Sequence, residues 1–356
     1  MQNMPEYLIV NIDSMQIKPI STLPHPPPGK SGWPWTNESA RTTAQWETQD
    51  WPTISIIIPT FNQAAYLEQT IRSVLLQGYP NCELIVIDGG STDGSLEIIR
   101  KYAPLLTFWI SEKDCGQAHA INKGMERATG NILAYLNSDD LYLPGTLFTV
   151  AEYAMRNPEV DLVYGGCRVI DAEGNKTGER WGDISGISEL IDLWDVWWKR
   201  RNYVQPEVFW TRRIAEKAGP FREDLYFVMD YDYWVRIFLA GGKAGMINNE
   251  LAAFRITPEQ KSRQSAKVAL ELLQVIEPVL WNKRLPIPLW QRYQLRSRWL
   301  YQRYFLPEVE KSLAAGEKTF ARRLRLLGVI ARHPGMLAFG GLHARMFSGL
   351  HRLKWD

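Results

Sequence analysis

The sequence predicts an α/β fold, a mixed, mostly parallel sheet flanked by helices, on three observations. Ile54–Pro59 is continuously apolar and β-branched, the pattern of a strand buried on both faces. Leu67, Ile71, Val74 and Leu75 then recur at helical spacing, so one helix face packs back onto that strand. Two further apolar runs, Leu84–Ile87 and Asn131–Leu136, each end at an acidic turn, with a helix over Ala118–Ala128 between them.

Pro59 stops the first strand, Asn62 is placed to cap the helix behind it, and Gly78 with Pro80 ends that helix. Strand, helix and strand make one βαβ half of a nucleotide-binding sheet. Asp88 therefore stands at the carboxyl end of a parallel strand, where open α/β sheets bind ligands. The turn Gly89–Gly94 lacks the Gly-x-Gly-x-x-Gly spacing, and Gly29-Lys30-Ser31 follows a proline run, so neither is a standard phosphate loop. An aspartate at this turn accepts hydrogen bonds from a nucleobase imide or a ribose hydroxyl. It can instead cap the next helix, a role equally open to Asp93.

The third strand runs into Asn137-Ser138-Asp139-Asp140. Adjacent carboxylates at the end of a buried strand raise each other's pKa unless a cation or hydrogen bonds compensate. Mg²⁺ or Mn²⁺, hard ions that take oxygen ligands, fit that need and would also hold a substrate's phosphates. The competing reading is a solvated acidic turn before a helix that begins after Pro144. Further along, Asp224–Phe238 opens a helix whose Trp234, Ile237 and Phe238 face a core, with Asp230 and Asp232 in its first turn. Gln205-Pro206-Glu207 precedes it and is expected on the acceptor side. Trp181, Trp194, Trp197 and Trp198 surround that segment as core, interface or sugar platform.

These motifs resemble glycosyltransferase family 2, the large inverting family with the GT-A (Rossmann-like) fold. The resemblance rests on Pro59-Thr60-Phe61-Asn62, Asp88–Gly94, Gly116-Gln117 through Asn122-Lys123-Gly124, and Asn137–Asp140, and covers roughly residues 53–260. It implies that Asp88 contacts the donor nucleoside and that Asp139 and Asp140 bind the metal bridging the diphosphate. Asn137, where many members carry an aspartate, is then at best a neutral oxygen donor. Pro59, Thr60, Asn62, Gly116, Asn122, Lys123 and Ser138 join the expected nucleotide-sugar site. The resemblance also makes Asp230 the catalytic base, with Asp232 as its competitor on the acceptor side beside Gln205 and Glu207. Phe254–Ser262 resembles the loop that closes over the diphosphate, with Arg255 and Lys261 as phosphate-neutralising cations. That loop usually carries a histidine where this chain has Thr257.

The expected reaction is inverting transfer from a nucleotide-diphosphate sugar, UDP-linked by default, to a glycan or lipid-linked acceptor, as in polysaccharide or cell-envelope synthesis. Two other classes stay open. A nucleotidyltransferase needs a basic loop after the first strand, and Thr60–Tyr66 has no Lys or Arg. A non-catalytic sugar- or lipid-carrier-binding scaffold is disfavoured by intact Asp139, Asp140 and Asp230. With Lys+Arg 41 against Asp+Glu 39, the charge balance excludes a dedicated nucleic-acid binder. Cys82, Cys115 and Cys167 have no metal-site spacing and suit a reducing, cytoplasmic setting. Neither a signal peptide nor a spanning stretch of about 20 apolar residues is visible.

Three regions are expected: an extended Pro/Trp-rich arm over 1–50, the catalytic domain over 51–263, and a basic helical region over 264–356. Between Lys318 and Trp355 there is no acidic residue, while Arg322, Arg323, Arg325, Arg332, Arg345, Arg352 and Lys354 punctuate apolar positions. Such a helix either packs on its own domain or on a second subunit, or makes peripheral contact with the inner face of the cell membrane.

Overall fold

The structure, a computed structural model, describes residues 6–9, 22–39, 50–197, 199–257, 265–283, 285–317 and 319–338. It divides into two compact units, residues 1–263 and 264–356. In chain order the first holds β1 (Glu6–Ile9), β2 (Ile54–Thr60), α1 (Ala64–Leu75), β3 (Cys82–Asp88), α2 (Ser95–Tyr102) and β4 (Phe108–Ser111). There follow α3 (Gln117–Arg127), β5 (Ile132–Tyr135), β6 (Leu141–Tyr142), α4 (Thr146–Arg156), β7 (Leu162–Ile170), β8 (Lys176–Trp181) and α5 (Ile187–Leu190). The unit closes with β9 (Phe209–Thr211), α6 (Arg212–Ala218), α7 (Met229–Leu239) and β10 (Ala244–Arg255). The second unit is helical: α8 (Ser265–Trp281), α9 (Leu289–Leu300), α10 (Leu306–Ala314) and α11 (Thr319–Arg332).

The ten strands form one mixed sheet in the order β1-β4-β3-β2-β5-β9-β7-β10-β6, with β8 on β7. The stretch β4-β3-β2-β5 is parallel throughout, and Thr60 lies opposite Asp88 in its ladder. Strand order reverses at β2: β3 and β4 lie to one side of it and β5 to the other. The chain ends after β2 and β5 therefore flank the crevice where such sheets bind ligands. Beyond β5 the pairings to β9 and β7 are antiparallel, and β7 with β10 is again parallel.

The core forms because β2 and β3 are buried along nearly their whole length, and Leu67, Ile71 and Val74 of α1 close over one face. On α3, a Cβ at Gly124 would come within 2.4 Å of Ile57, so only glycine lets that helix approach β2 so closely.

The extended arm expected over residues 1–50 carries one strand that was not expected of it. Five of its seven prolines fall within Pro24–Pro34, and Glu6–Ile9 ahead of that cluster adds β1 antiparallel to β4. Residues 22–39 are clamped by the buried Arg72 of α1. Its guanidinium donates to the carbonyls of Pro34, Pro24 and Trp35 and to the Tyr102 hydroxyl, and lies 5.5 Å from the Trp35 ring centre. Trp181 lies on β8, Trp194 and Trp197 form part of a π-turn over Leu193–Trp197, and Trp198 is outside the described residues.

Candidate active site

At the end of β3, Asp88 is fully buried rather than presented to solvent. One carboxylate oxygen accepts from the Ser91 hydroxyl at 2.5 Å, and the other from the Ser111 hydroxyl at 2.6 Å and the Ser91 amide at 3.1 Å. Asp93 does the capping, accepting the Ala64 amide of α1 at 2.9 Å and the Ser95 amide of α2 at 3.0 Å. Asn62 is not the cap of α1. It adopts a left-handed conformation, φ 52°, and ties the two loops together by accepting from Thr92 and donating its amide to Ser91 Oγ. Thr60, buried opposite Asp88, keeps a hydroxyl without a hydrogen-bond partner among the described residues. Pro59 is buried beside it, and Gly116 caps α3 at the surface.

The Asn137–Asp140 turn follows β5 and is held from three sides. From α1, the Thr70 hydroxyl is shared between the carbonyls of Ser138 at 2.9 Å and Asp140 at 2.8 Å. From β10, the Arg255 amide donates to Asp140 Oδ1 at 2.9 Å. The third support is a chain of carboxamides with one consistent direction. Gln205 Nε2 donates to the Tyr135 carbonyl at 2.6 Å, Asn137 Nδ2 donates to Gln205 Oε1 at 3.0 Å, and Gln117 Nε2 donates to Asn137 Oδ1 at 2.6 Å. Because the chain starts at a carbonyl, each amide orientation is fixed in turn. The Asn137 oxygen is thereby engaged by Gln117 rather than offered to a metal.

Burial lifts the Asp139 and Asp140 carboxyls above their ordinary range, and for Asp140 the neighbouring Asp139 charge adds to the effect. Asp139 is half-buried, and apart from its own amide no hydrogen bond to its carboxylate is made among the described residues. No cluster of three His, Cys, Asp or Glu side chains able to hold a metal occurs among the described residues. Two adjacent destabilised carboxylates nevertheless fit a divalent cation, because Mg²⁺-type ions take one or two carboxylates and complete their shell with substrate phosphates and water.

Asp230 is half-buried in the first turn of α7, accepting the Tyr231 amide at 2.7 Å. Burial, then the charges of Asp230 and Asp140, push the Tyr135 phenol far above its usual range, which places both carboxylates in electrostatic reach of one buried ring. Asp232 is buried and occupied, 2.8 Å from Arg236 Nε and 3.5 Å from Arg222.

Several expected ligands are turned to other work. Asn122 is buried and binds the backbone of Phe221 and the Glu223 side chain. Lys123 pairs with Glu112 at 2.7 Å. Ser138 is buried, its carbonyl held by Thr70. Glu207 is fully buried and accepts the Val204 amide, so it cannot touch an acceptor from where it lies. Gln205 is buried in the carboxamide chain rather than lining a groove.

Arg255 is the main correction. It is fully buried, with Nε on the Asp139 carbonyl at 2.9 Å, Nη1 on the carbonyls of Asp171 and Ala172, and Nη2 on Gln69 Oε1 at 2.7 Å. Its guanidinium also lies 4.6 Å from the Tyr66 ring centre. The fork is spent beneath the acidic turn, and Thr257 is buried two residues on. Lys261 lies outside the described residues.

Sequence reasoning missed Gln69, Thr70 and Gln117. Thr70 and Gln69 leave a trace as polar residues beside the apolar stripe of α1, and Gln117 sits within the Gly116-Gln117 motif.

Carboxylates follow the parallel strands β3 and β5 on either side of β2, an arrangement of the open α/β class, and comparison with known proteins sharpens that class. The family model for glycosyl transferase family 2 matches residues 55–222. A PGL/p-HBAD biosynthesis glycosyltransferase of Mycobacterium tuberculosis is 34% identical over 191 residues, 52% of this chain and 70% of that protein. The chain belongs to glycosyltransferase family 2. Its fold is the GT-A fold of Staphylococcus aureus TarS 1-349 in complex with UDP-GlcNAc: TM-score 0.56, 14% identity, covering 78% of this chain and 79% of that one. The Pyrobaculum calidifontis mannosyltransferase PcManGT, in complex with GDP-Man and Mn²⁺, aligns with TM-score 0.54 at 18% identity, over 85% of this chain and 92% of that one.

Proposed function

We propose that this chain transfers a sugar from a nucleoside-diphosphate donor, UDP-linked by default, to a hydroxyl of a glycan or lipid-linked saccharide, with inversion. The observation that carries the reading is that Asp140, in the acidic turn after β5, and Asp230, at the start of α7, both lie in electrostatic reach of the buried Tyr135, beside the β2–β5 switch. TarS holding UDP-GlcNAc and PcManGT holding GDP-Man support a nucleotide sugar as donor.

Thr60 and Asp88 form the nucleoside end. The Thr60 hydroxyl is available without breaking an existing bond, whereas Asp88 engages the nucleoside by exchanging one of its serine partners. Asp139 and Asp140 would hold Mg²⁺ or Mn²⁺, which when bound neutralises diphosphate charge. Asp230 takes the proton of the acceptor hydroxyl as its oxygen bonds to the anomeric carbon. The bond from that carbon to the diphosphate oxygen breaks, and the nucleoside diphosphate leaves from the opposite face with the electron pair. Lys261 is the cation assigned to the leaving group, in place of the buried Arg255. The Gln117–Asn137–Gln205 chain keeps the acidic turn fixed while charge changes around it.

The test is release of nucleoside diphosphate across UDP-, GDP- and dTDP-sugars with Mg²⁺, Mn²⁺ or chelator. One donor is expected to turn over only with metal, with binding lost in Asp139→Ala. Binding of no nucleotide sugar under any of these conditions contradicts the proposal, and binding without turnover on a broad acceptor panel favours a non-catalytic scaffold.

A further inference from the structure

The second unit carries an apolar stripe that its own core does not use. Helix α11 buries Leu326, Val329 and Ile330 against Tyr301, Phe305, Leu306, Val309 and Met336. On its other side Phe320, Leu324 and Leu327 are 75%, 55% and 50% exposed. Their spacing of four and three residues makes one continuous outward stripe, and exposed Ala331 extends it by another turn.

The charges around the stripe are sorted. Arg322 turns inward to Ser312 and the Glu317 carbonyl, and Arg325 pairs with Glu317 and Glu308. Arg323 and Arg332 are exposed with no carboxylate partner among the described residues, and helical geometry puts them on opposite flanks of the stripe. From position 318 to 355 the sequence has no acidic residue at all.

We infer that the outward face of α11 docks on an anionic lipid surface, lying flat with Phe320, Leu324 and Leu327 in the headgroup–acyl boundary and Arg323 and Arg332 on lipid phosphates. A surface helix combining an apolar stripe with flanking arginines gains from both apolar burial and attraction to anionic headgroups. A second copy of the chain fits less well. The three side chains offer roughly 300 Å², well under the ~800 Å² each partner gives to a stable protein interface. Among the described residues no helix is long and apolar enough to cross a membrane, so the contact is peripheral. The inference concerns α11 alone and stands or falls separately from the transfer reaction.

The experiment is co-sedimentation of the full chain with phosphatidylcholine vesicles and with vesicles containing a third phosphatidylglycerol, alongside sedimentation velocity without lipid. The wild type is expected to favour the anionic vesicles by at least ~10-fold, less at high salt. The triple variant Phe320→Ser, Leu324→Ser, Leu327→Ser is expected to lose at least ~10-fold of that partitioning. The pair Arg323→Gln, Arg332→Gln is expected to lose the preference for anionic vesicles, and it serves independently should the triple variant unfold. Wild-type failure to bind anionic vesicles, or binding by the folded triple variant or by the pair equal to that of wild type, overturns the inference. So does a wild-type dimer that the triple variant converts to monomer without any vesicle binding. Loss of binding on Trp290→Ser, Tyr293→Ser alone, the exposed aromatics of α9, would move the surface elsewhere and also overturn it.

Discussion

Arg255→Ala separates two roles with different measurable costs. If the guanidinium braces the acidic turn, its removal strands the acceptors it now satisfies: the carbonyls of Asp139, Asp171 and Ala172, and Gln69 Oε1. Gln69, Asp139, Asp171 and Ala172 are all half-buried, so water replaces part of what the arginine gives up, and about half of the four contacts are counted as lost. Two charged hydrogen bonds lost without replacement, at about 1.5–3 kcal/mol each, give a destabilisation of about 3–6 kcal/mol. That is a large share of the roughly 5–15 kcal/mol that holds a domain together. Thermal unfolding should therefore drop by about 10 °C or more. Arg255→Lys keeps the charge but not the fork and should fall between, near about 2 kcal/mol. The assay is urea unfolding of the three proteins in metal-free buffer. A variant within about 1 kcal/mol of wild type, altered only in donor KM, would refute the bracing role and return Arg255 to the diphosphate.

Asn137→Asp should cost about 1–3 kcal/mol and lower kcat more than it raises KM, because a carboxylate would face Gln205 Oε1 and Asp140, both acceptors. Steady-state kinetics beside urea unfolding tests this, and a fully active, fully stable variant refutes the directed amide chain. Burial raises the Glu207 carboxyl well above its ordinary 4.5, so the folded protein holds a proton that the unfolded chain releases. Its contribution to stability is thus present below about pH 4.5 and lost as pH rises towards the folded value. Glu207→Gln should match wild type at pH 4 and exceed it increasingly towards pH 8. A gap that does not change with pH, measured by thermal unfolding, contradicts this. Arg72→Ala should free residues 22–39 for limited proteolysis and lower stability by about 3 kcal/mol, since three backbone carbonyls and Tyr102 lose their donor. An uncut arm in that variant argues against the clamp.

What the sequence made legible was local. β2, β3 and β5 announce themselves as apolar runs, and an acidic residue next in line must fall at the strand's carboxyl end, whatever the rest of the chain does. The position of Asp139 and Asp140 in the turn that follows β5 was therefore readable from the sequence. Arg255 was not. It lies more than 100 positions beyond the turn it braces, and a charge in sequence carries no sign of whether its fork is free or buried. Asn122 and Lys123 shared a motif, but the motif does not say which face of α3 meets Phe221 and Glu112. Asp232 stood four residues before Arg236, a spacing that itself signals a helical ion pair, so its occupied state was open to inference. β1 was hidden because the proline cluster at 24–34 coloured the reading of everything ahead of it.

Once a donor is found, the anomeric configuration of the purified product, read by proton NMR with wild type and Asp230→Asn side by side, is decisive. An α-linked donor should yield a β-linked product, and Asp230→Asn should bind the donor with near-normal affinity while losing about 10²–10⁴-fold in turnover. An α-linked product, or an Asp230→Asn variant with undiminished turnover, would contradict inversion driven by an Asp230 base.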